Sequence, residues 1–203
     1  MSGPTPDADR QSQPRLAGRH DAPHVAALHA SAIPDGFLVT LGPRFLRRLY
    51  ARITDSPHAY LLVTEDEHGL TGHIAIALHT GRLYRHFLLR DGVRAAVVAA
   101  PLVLKAPRRI WETLRYGTVD DSDLPEAEVL SIAVAPRARG HGIGTALLRA
   151  GVAELVRRQV TAAQVVTASD NAAALRMYER VGFVPVRHTE VHRGVSQEVL
   201  VWR

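Results

Sequence analysis

Residues 137 to 147 read Arg-Ala-Arg-Gly-His-Gly-Ile-Gly-Thr-Ala-Leu, with an RxxGxG core at Arg139, Gly142 and Gly144. This stretch follows an apolar run at 129–134 and leads straight into a helical apolar pattern at 143–156. Glycine permits positive φ and close backbone approach, while the first turn of a helix carries unpaired N–H groups and partial positive charge, so the turn suits an anion such as a phosphate. Spacing excludes two phosphate readers. A dinucleotide fingerprint needs GxGxxG or GxGxxA, but the last position is Thr145 counted from Gly140 and Leu147 counted from Gly142. A P-loop needs Gly-Lys-Ser/Thr, and the sole lysine, Lys105, lies far upstream.

A second segment carries chemistry. After the β-branched run Val165, Val166, Thr167 come Ser169-Asp170-Asn171, an alanine-rich stretch with Leu175, then Tyr178, Gly182 and Phe183. Asp170 or Asn171 can cap the helix that this stretch favours, and Gly182 is placed to stop it. Asn171 and Tyr178 are two helical turns apart and so project from one face. The order strand, Pro136, RxxGxG, helix, followed by NxxAxxxY and then Gly-Phe, resembles the GNAT acetyltransferase superfamily.

That resemblance implies an N-acetyltransferase that takes acetyl-CoA as cosubstrate and a primary amine as acceptor, with direct transfer and no covalent enzyme intermediate. It implies that main-chain groups of Ile132, Ala133 and Val134 bind the pantetheine arm and thioester. The amides of Arg139, Gly140, Gly142, Ile143, Gly144 and Thr145 would then hold the diphosphate, and Asn171 would bond the pantetheine. Arg139 either adds charge or braces the turn, and Asn171 is either a ligand group or a plain cap. Tyr178 is the implied acid for the departing sulfur, its phenol staying protonated at neutral pH, or else an amphipathic core residue beside Met177 and Phe183. Glu128 is the implied base, acting through water, with Glu126 the neighbouring alternative and a surface strand-end charge the competing role. A noncatalytic acyl-CoA sensor is the alternative function that keeps the glycine turn.

These groups need a scaffold. The spacing predicts helices at 21–32, with Asp21 near the cap, and at 43–53, with 37–41 a loop between them. Strands are predicted at 59–64 and 72–78 about a turn at 65–69, then at 127–134 and 164–168. The Asn171 helix and a hairpin of 184–192 and 196–202, turning at Arg193-Gly194, complete the order. Strands alternating with helices give a mixed α/β class, and the resemblance makes it a central, mostly antiparallel sheet flanked by helices. Residues 1–15 read as a disordered tail, 16–203 as a single domain, and 82–124 as a helical insertion before the cofactor-binding strand.

Composition narrows the function. The 203 residues, 46% hydrophobic, suffice for one sizeable core, and the absence of cysteine removes disulfides, thiolate metal sites and a cysteine nucleophile. The net charge of +5 comes without long basic runs or basic-aromatic interleaving, so no nucleic-acid partner is expected. No metal is expected either, because HExxH is absent, Pro23 interrupts His20 and His24, and His188 and His192 fall in a strand, where that offset spans about 13 Å. There is no GxSxG elbow for a serine hydrolase. The apolar run at 93–104 is short of the ~20 residues that span a bilayer. Peripheral membrane contact through 93–116 and a homodimer stay open, as does the acceptor amine. With no signal peptide in the amino-terminal residues, a cytoplasmic location is expected.

Overall fold

Two stretches bury nearly every residue, which is what a strand covered on both faces requires. They are the strands Ala59–Asp66 and Gly69–Ala77. The computed structural model describes residues 13–34, 37–83, 85–87, 89, 123–191 and 195–203. Its strands are β1 (Arg15–Leu16), β2 (Ala59–Asp66), β3 (Gly69–Ala77), β4 (Glu128–Val134), β5 (Ala163–Ala168), β6 (Val184–Val191) and β7 (Val195–Trp202). They form one sheet in the order β1-β2-β3-β4-β5-β7-β6. Every pairing is antiparallel except β4 with β5. The α-helices are α1 (Ala22–Ala32), α2 (Phe37–Thr40), α3 (Pro43–Asp55), α4 (Ile143–Arg157) and α5 (Ala172–Arg180).

Alternation along the strands sends side chains to two cores. On one face α1 and α3 bring Val25, Leu46, Leu49, Tyr50 and Ile53 against Leu61, Val63, Ala75 and Ala77. On the other, α4 and α5 bring Leu147, Leu148, Leu155 and Tyr178 against Leu62, Ile74, Ile76, Val165 and Leu200. α4 lies close to β3 because Gly151 has no side chain: a Cβ there would be 2.7 Å from Ile76 Cδ1 and 3.3 Å from Ile74 Cδ1. The carbonyl of Gly151 accepts the Tyr60 hydroxyl at 2.7 Å, which fixes the contact point.

The expected architecture, a mixed and mostly antiparallel sheet between helices, is the observed one, with several local differences. Residues 37–40 form a turn of helix where a loop is predicted, because Leu38 and Val39 find apolar partners on the α1–α3 core. The turn between β2 and β3 shrinks to Glu67 and His68, since both strands extend past the predicted ends. Arg15, assigned to the tail, instead pairs with Val63 at the sheet edge. Its polar neighbours hide that strand from composition. Arg15 donates to both carboxylate oxygens of buried Asp21, at 2.9 and 3.0 Å, and to both of Glu65 at 3.0 Å. Helical backbone occurs at 80–83, 85–87 and 89, but most of 82–124, including 93–116, lies outside the described residues, as do Arg193 and Gly194. No described helix is long and apolar enough to cross a membrane.

Two stability measurements check this packing. Gly151→Ala is expected to lower unfolding free energy by about 1–3 kcal/mol in a urea titration, through overpacking against Ile74 and Ile76. The Arg15 guanidinium, with help from the Gly18 amide, holds the Asp21 carboxyl below its ordinary pKa. A depressed folded pKa stabilises above the unfolded value and loses that contribution as pH falls. Asp21→Asn is therefore expected to cost about 2 kcal/mol at pH 7, a deficit that shrinks as the pH drops below about 4.

Candidate active site

The glycine turn opens to solvent at the head of α4. Gly140 and Gly142 have φ of +81° and +78°, a conformation costly for other residues, and space beyond each is open. Gly142 is the N-cap and supplies no side-chain acceptor. Arg139 N donates to Pro136 O at 3.4 Å and Ala146 N to Gly142 O at 2.9 Å. Between them, the amides from Gly140 to Thr145 have no main-chain acceptor among the described residues. These are unpaired donors at the positive end of a 15-residue helix, the physical requirement for anion binding. The side chain of Arg139 turns back and donates from Nε to Val134 O at 3.2 Å, so here it braces the turn. His141 likewise folds onto its own loop, Nδ1 to Arg139 O at 2.9 Å. Arg137, given no role in the sequence reading, anchors the preceding turn through Asp66 and the carbonyls of Gly69 and Leu70.

The same turn follows a strand that parts from its neighbour. β4 and β5 share a single register pair, Glu128 with Gln164, and diverge beyond it. The kink lies at Leu130, which has no partner on β3: Val129 pairs Ile76 and Ser131 pairs Ala75. A bulge bends its strand and re-aims the residues after it. Ala135 N donates to Thr71 O, which places alternate main-chain groups on the β3 side. By that alternation Ala133 bonds toward β3, whereas Ile132 and Val134 turn their N–H and C=O groups to the gap left by β5. The expectation for these three therefore narrows to Ile132 and Val134, because the β3 ladder takes the polar groups of Ala133.

α5 carries the second motif alongside the glycine turn. Asn171 caps it, Oδ1 accepting from Ala174 N at 3.2 Å, so the capping role holds whatever its Nδ2 binds. Gly144 faces Met177, where a Cβ would be 3.0 Å from the sulfur, and thereby joins the glycine turn to the tyrosine helix. Tyr178 is only 4% exposed and its ring lies 5.7 Å from Phe183. Among the described residues nothing hydrogen-bonds its hydroxyl. Burial pushes its phenol above the ordinary value, so it keeps its proton. Tyr178 thus belongs to the core and also carries an unspent donor.

Glu128 opens β4 opposite Ala77, on the face covered by α1 and α3, and accepts from Thr80 Oγ1 at 3.2 Å. Glu126 is 76% exposed and bonded to His79 Nδ1 at 2.5 Å. Of the two carboxylates, Glu128 is on the strand that borders the gap. Sequence reasoning missed Ser131, three positions on, whose hydroxyl meets Tyr50 and His73. A lone serine in an apolar strand gives no pattern to find. His188, set aside as a metal ligand in the sequence, pairs with Glu198 at 2.6 Å.

A family model described as the acetyltransferase (GNAT) family matches residues 27–183. A mycothiol acetyltransferase of Corynebacterium urealyticum is 34% identical over 79 residues, covering 37% of this chain and 23% of that protein. One from Streptomyces scabiei is 40% identical over 67 residues, covering 33% of this chain and 22% of its own length. The chain thus aligns with under a quarter of these curated relatives. Among solved structures, a GCN5-related N-acetyltransferase of Kribbella flavida superposes with a TM-score of 0.62 at 18% identity, covering 93% of this chain and 95% of that one. A Salmonella typhimurium protein solved with its cofactor acetyl-CoA gives 0.62 at 15% identity, covering 94% and 92%. At such identities the likeness is one of fold.

Gly142→Ala puts a side chain into a left-handed conformation at a cost of about 1–2 kcal/mol, or relaxes the turn. The coenzyme A Kd is expected to rise several-fold by calorimetry, with melting followed in parallel. An unchanged Kd would remove Gly142 from the site.

Proposed function

Because the chain belongs to the GNAT acetyltransferase family, we propose that it moves the acetyl group of acetyl-CoA to a primary amine by direct transfer in a ternary complex. The observation that carries this reading is the run of unpaired amides at the head of α4, continuous with the gap between β4 and β5. One end suits a diphosphate and the other a thioester. Acetyl-CoA supplies an activated acyl group.

Residues of this chain fit the remaining needs. The amides of Gly140, Gly142, Ile143, Gly144 and Thr145 face the diphosphate, with Arg139 holding the turn. Main-chain groups of Ile132 and Val134 line the pantetheine and thioester, and an N–H there stabilises the carbonyl oxygen as charge develops, a type of contact worth roughly 3 kcal/mol when a single donor is lost. The amine nitrogen forms its bond to the carbonyl carbon. Glu128 takes the amine proton through water, the C–S bond breaks, the hydroxyl hydrogen of Tyr178 passes to the departing sulfur, and the proton received by Glu128 returns through water to the phenolate. A buried, protonated phenol beside the gap is suited to that last step. Asn171 binds the pantetheine with the amide nitrogen that capping leaves over.

The test is thiol release from acetyl-CoA over spermidine, glucosamine, an aminoglycoside and an alanine-terminated peptide, with the acetylated product identified by mass. Release with at least one amine is expected. Coenzyme A binding without release for any amine would favour a noncatalytic sensor. Tyr178→Phe is expected to lower kcat by about 100-fold, within the usual range for loss of a general acid, with little change in coenzyme A Kd. Unchanged kcat would exclude Tyr178 as the acid.

A further inference from the structure

One buried polar cluster lies beneath the β4 bulge with no role in the scheme above. His29 on α1, Tyr50 on α3, His73 on β3 and Ser131 on β4 converge there. Tyr50 Oη is 2.5 Å from His29 Nδ1, 3.0 Å from Ser131 Oγ and 3.2 Å from His73 Nε2, which is itself 3.3 Å from Ser131 Oγ. His73 is fully buried, Tyr50 1% exposed and His29 4%, whereas Ser131 is only part-buried. Buried polar groups are tolerated when each hydrogen has a destination, so the direction of each bond can be worked out.

Burial lowers the pKa of both imidazoles, that of His73 to about 3, so each is neutral with a single N–H. His73 Nδ1 has no partner among the described residues. An orphaned buried N–H is the costlier fault, so the hydrogen of His73 sits on Nε2 and is donated to Tyr50. Hydroxyl donors make the shorter bonds, so the Tyr50 hydrogen follows the 2.5 Å contact to His29 Nδ1. The remaining lone pair of Tyr50 faces Ser131, which must donate to it. The Ser131 hydrogen is thereby committed inward, and with one lone pair turned to His73 Nε2 at 3.3 Å the other is left for a donor on the β4 face shared with Glu128.

We propose that Ser131 Oγ is the hydrogen-bond acceptor that seats the substrate amine, with Tyr50 as the positioning residue that fixes its polarity. This rests on the acetyltransfer reading. An amine N–H donated to Ser131 holds the nitrogen at the bulge, beside the gap where the thioester lies, while a second N–H is directed toward Glu128. No proton travels through the cluster. The proton lost by the amine goes to Glu128, and Ser131 keeps its own.

Nitrogen-15 NMR of the histidine rings in the full chain at neutral pH tests the polarity directly. Both His29 and His73 are expected to carry hydrogen on Nε2. Hydrogen on Nδ1 of His29 would redirect the Tyr50 hydroxyl to Ser131 and overturn the proposal. In kinetics with whichever amine of the panel turns over fastest, Ser131→Ala and Tyr50→Phe are each expected to raise amine KM about tenfold and leave acetyl-CoA KM unchanged. The double variant should be no worse than Ser131→Ala alone, and Ser131→Thr should recover most of the loss. An unchanged amine KM in Ser131→Ala that melts like the parent also overturns it. Absence of thiol release with every amine would remove the acetyltransfer reading and the proposal with it, while the ring spectra still report the cluster.

Discussion

The site depends on main-chain hydrogen bonds that the sheet does not make. β4 pairs with β3 along its length except at Leu130, yet beyond Glu128 its other side faces no strand. Unpaired polar backbone inside a fold is costly unless water or a ligand completes it. Here the edge of Ile132 and Val134 that no strand pairs, its Val134 carbonyl taken by Arg139 Nε, runs on into the unpaired amides that begin α4. A single extended ligand with amide, carbonyl and phosphate groups along its length can complete both. The bulge at Leu130 turns the strand so that this happens, and the single parallel pair with β5 hinges the opening.

Around that opening, packing is close where function needs rigidity. Gly151 lets α4 lie against Ile74 and Ile76, and the Tyr60 hydroxyl bonds its carbonyl, so the helix whose amino end presents the unpaired amides is fixed at its middle. Gly144 lets Met177, and with it α5, approach the same helix. Tyr178 is then held by Phe183 and the core, and losing solvent keeps its hydroxyl protonated.

The opposite face of β4 is organised by side chains. Glu128 is steadied by Thr80, and three positions on, Ser131 is tied to Tyr50 and the two histidines. The cluster links α1, α3, β3 and β4. A polar core of this kind fixes one arrangement of its members, since each hydrogen has only one good destination.

By itself the sequence determined the parts whose signal is local. Glycine spacing at 140–144 marked a turn at the head of a helix, Asn171 a helix cap, Gly182 a helix stop, and capping residues, alanine content and apolar spacing located α1, α3, α4 and α5, all set by interactions within a few residues. It read past β1, because a two-residue edge strand held by Arg15 to Asp21 and Glu65 depends on groups far along the chain. Only the tertiary structure decided that Ile132 and Val134, and not Ala133, face the gap, since a one-residue bulge reverses which side each main-chain group takes. It alone brought His29, Tyr50, His73 and Ser131 together. Each is unremarkable in its own helix or strand, and their common direction exists only after α1 and α3 are packed on their face of the sheet.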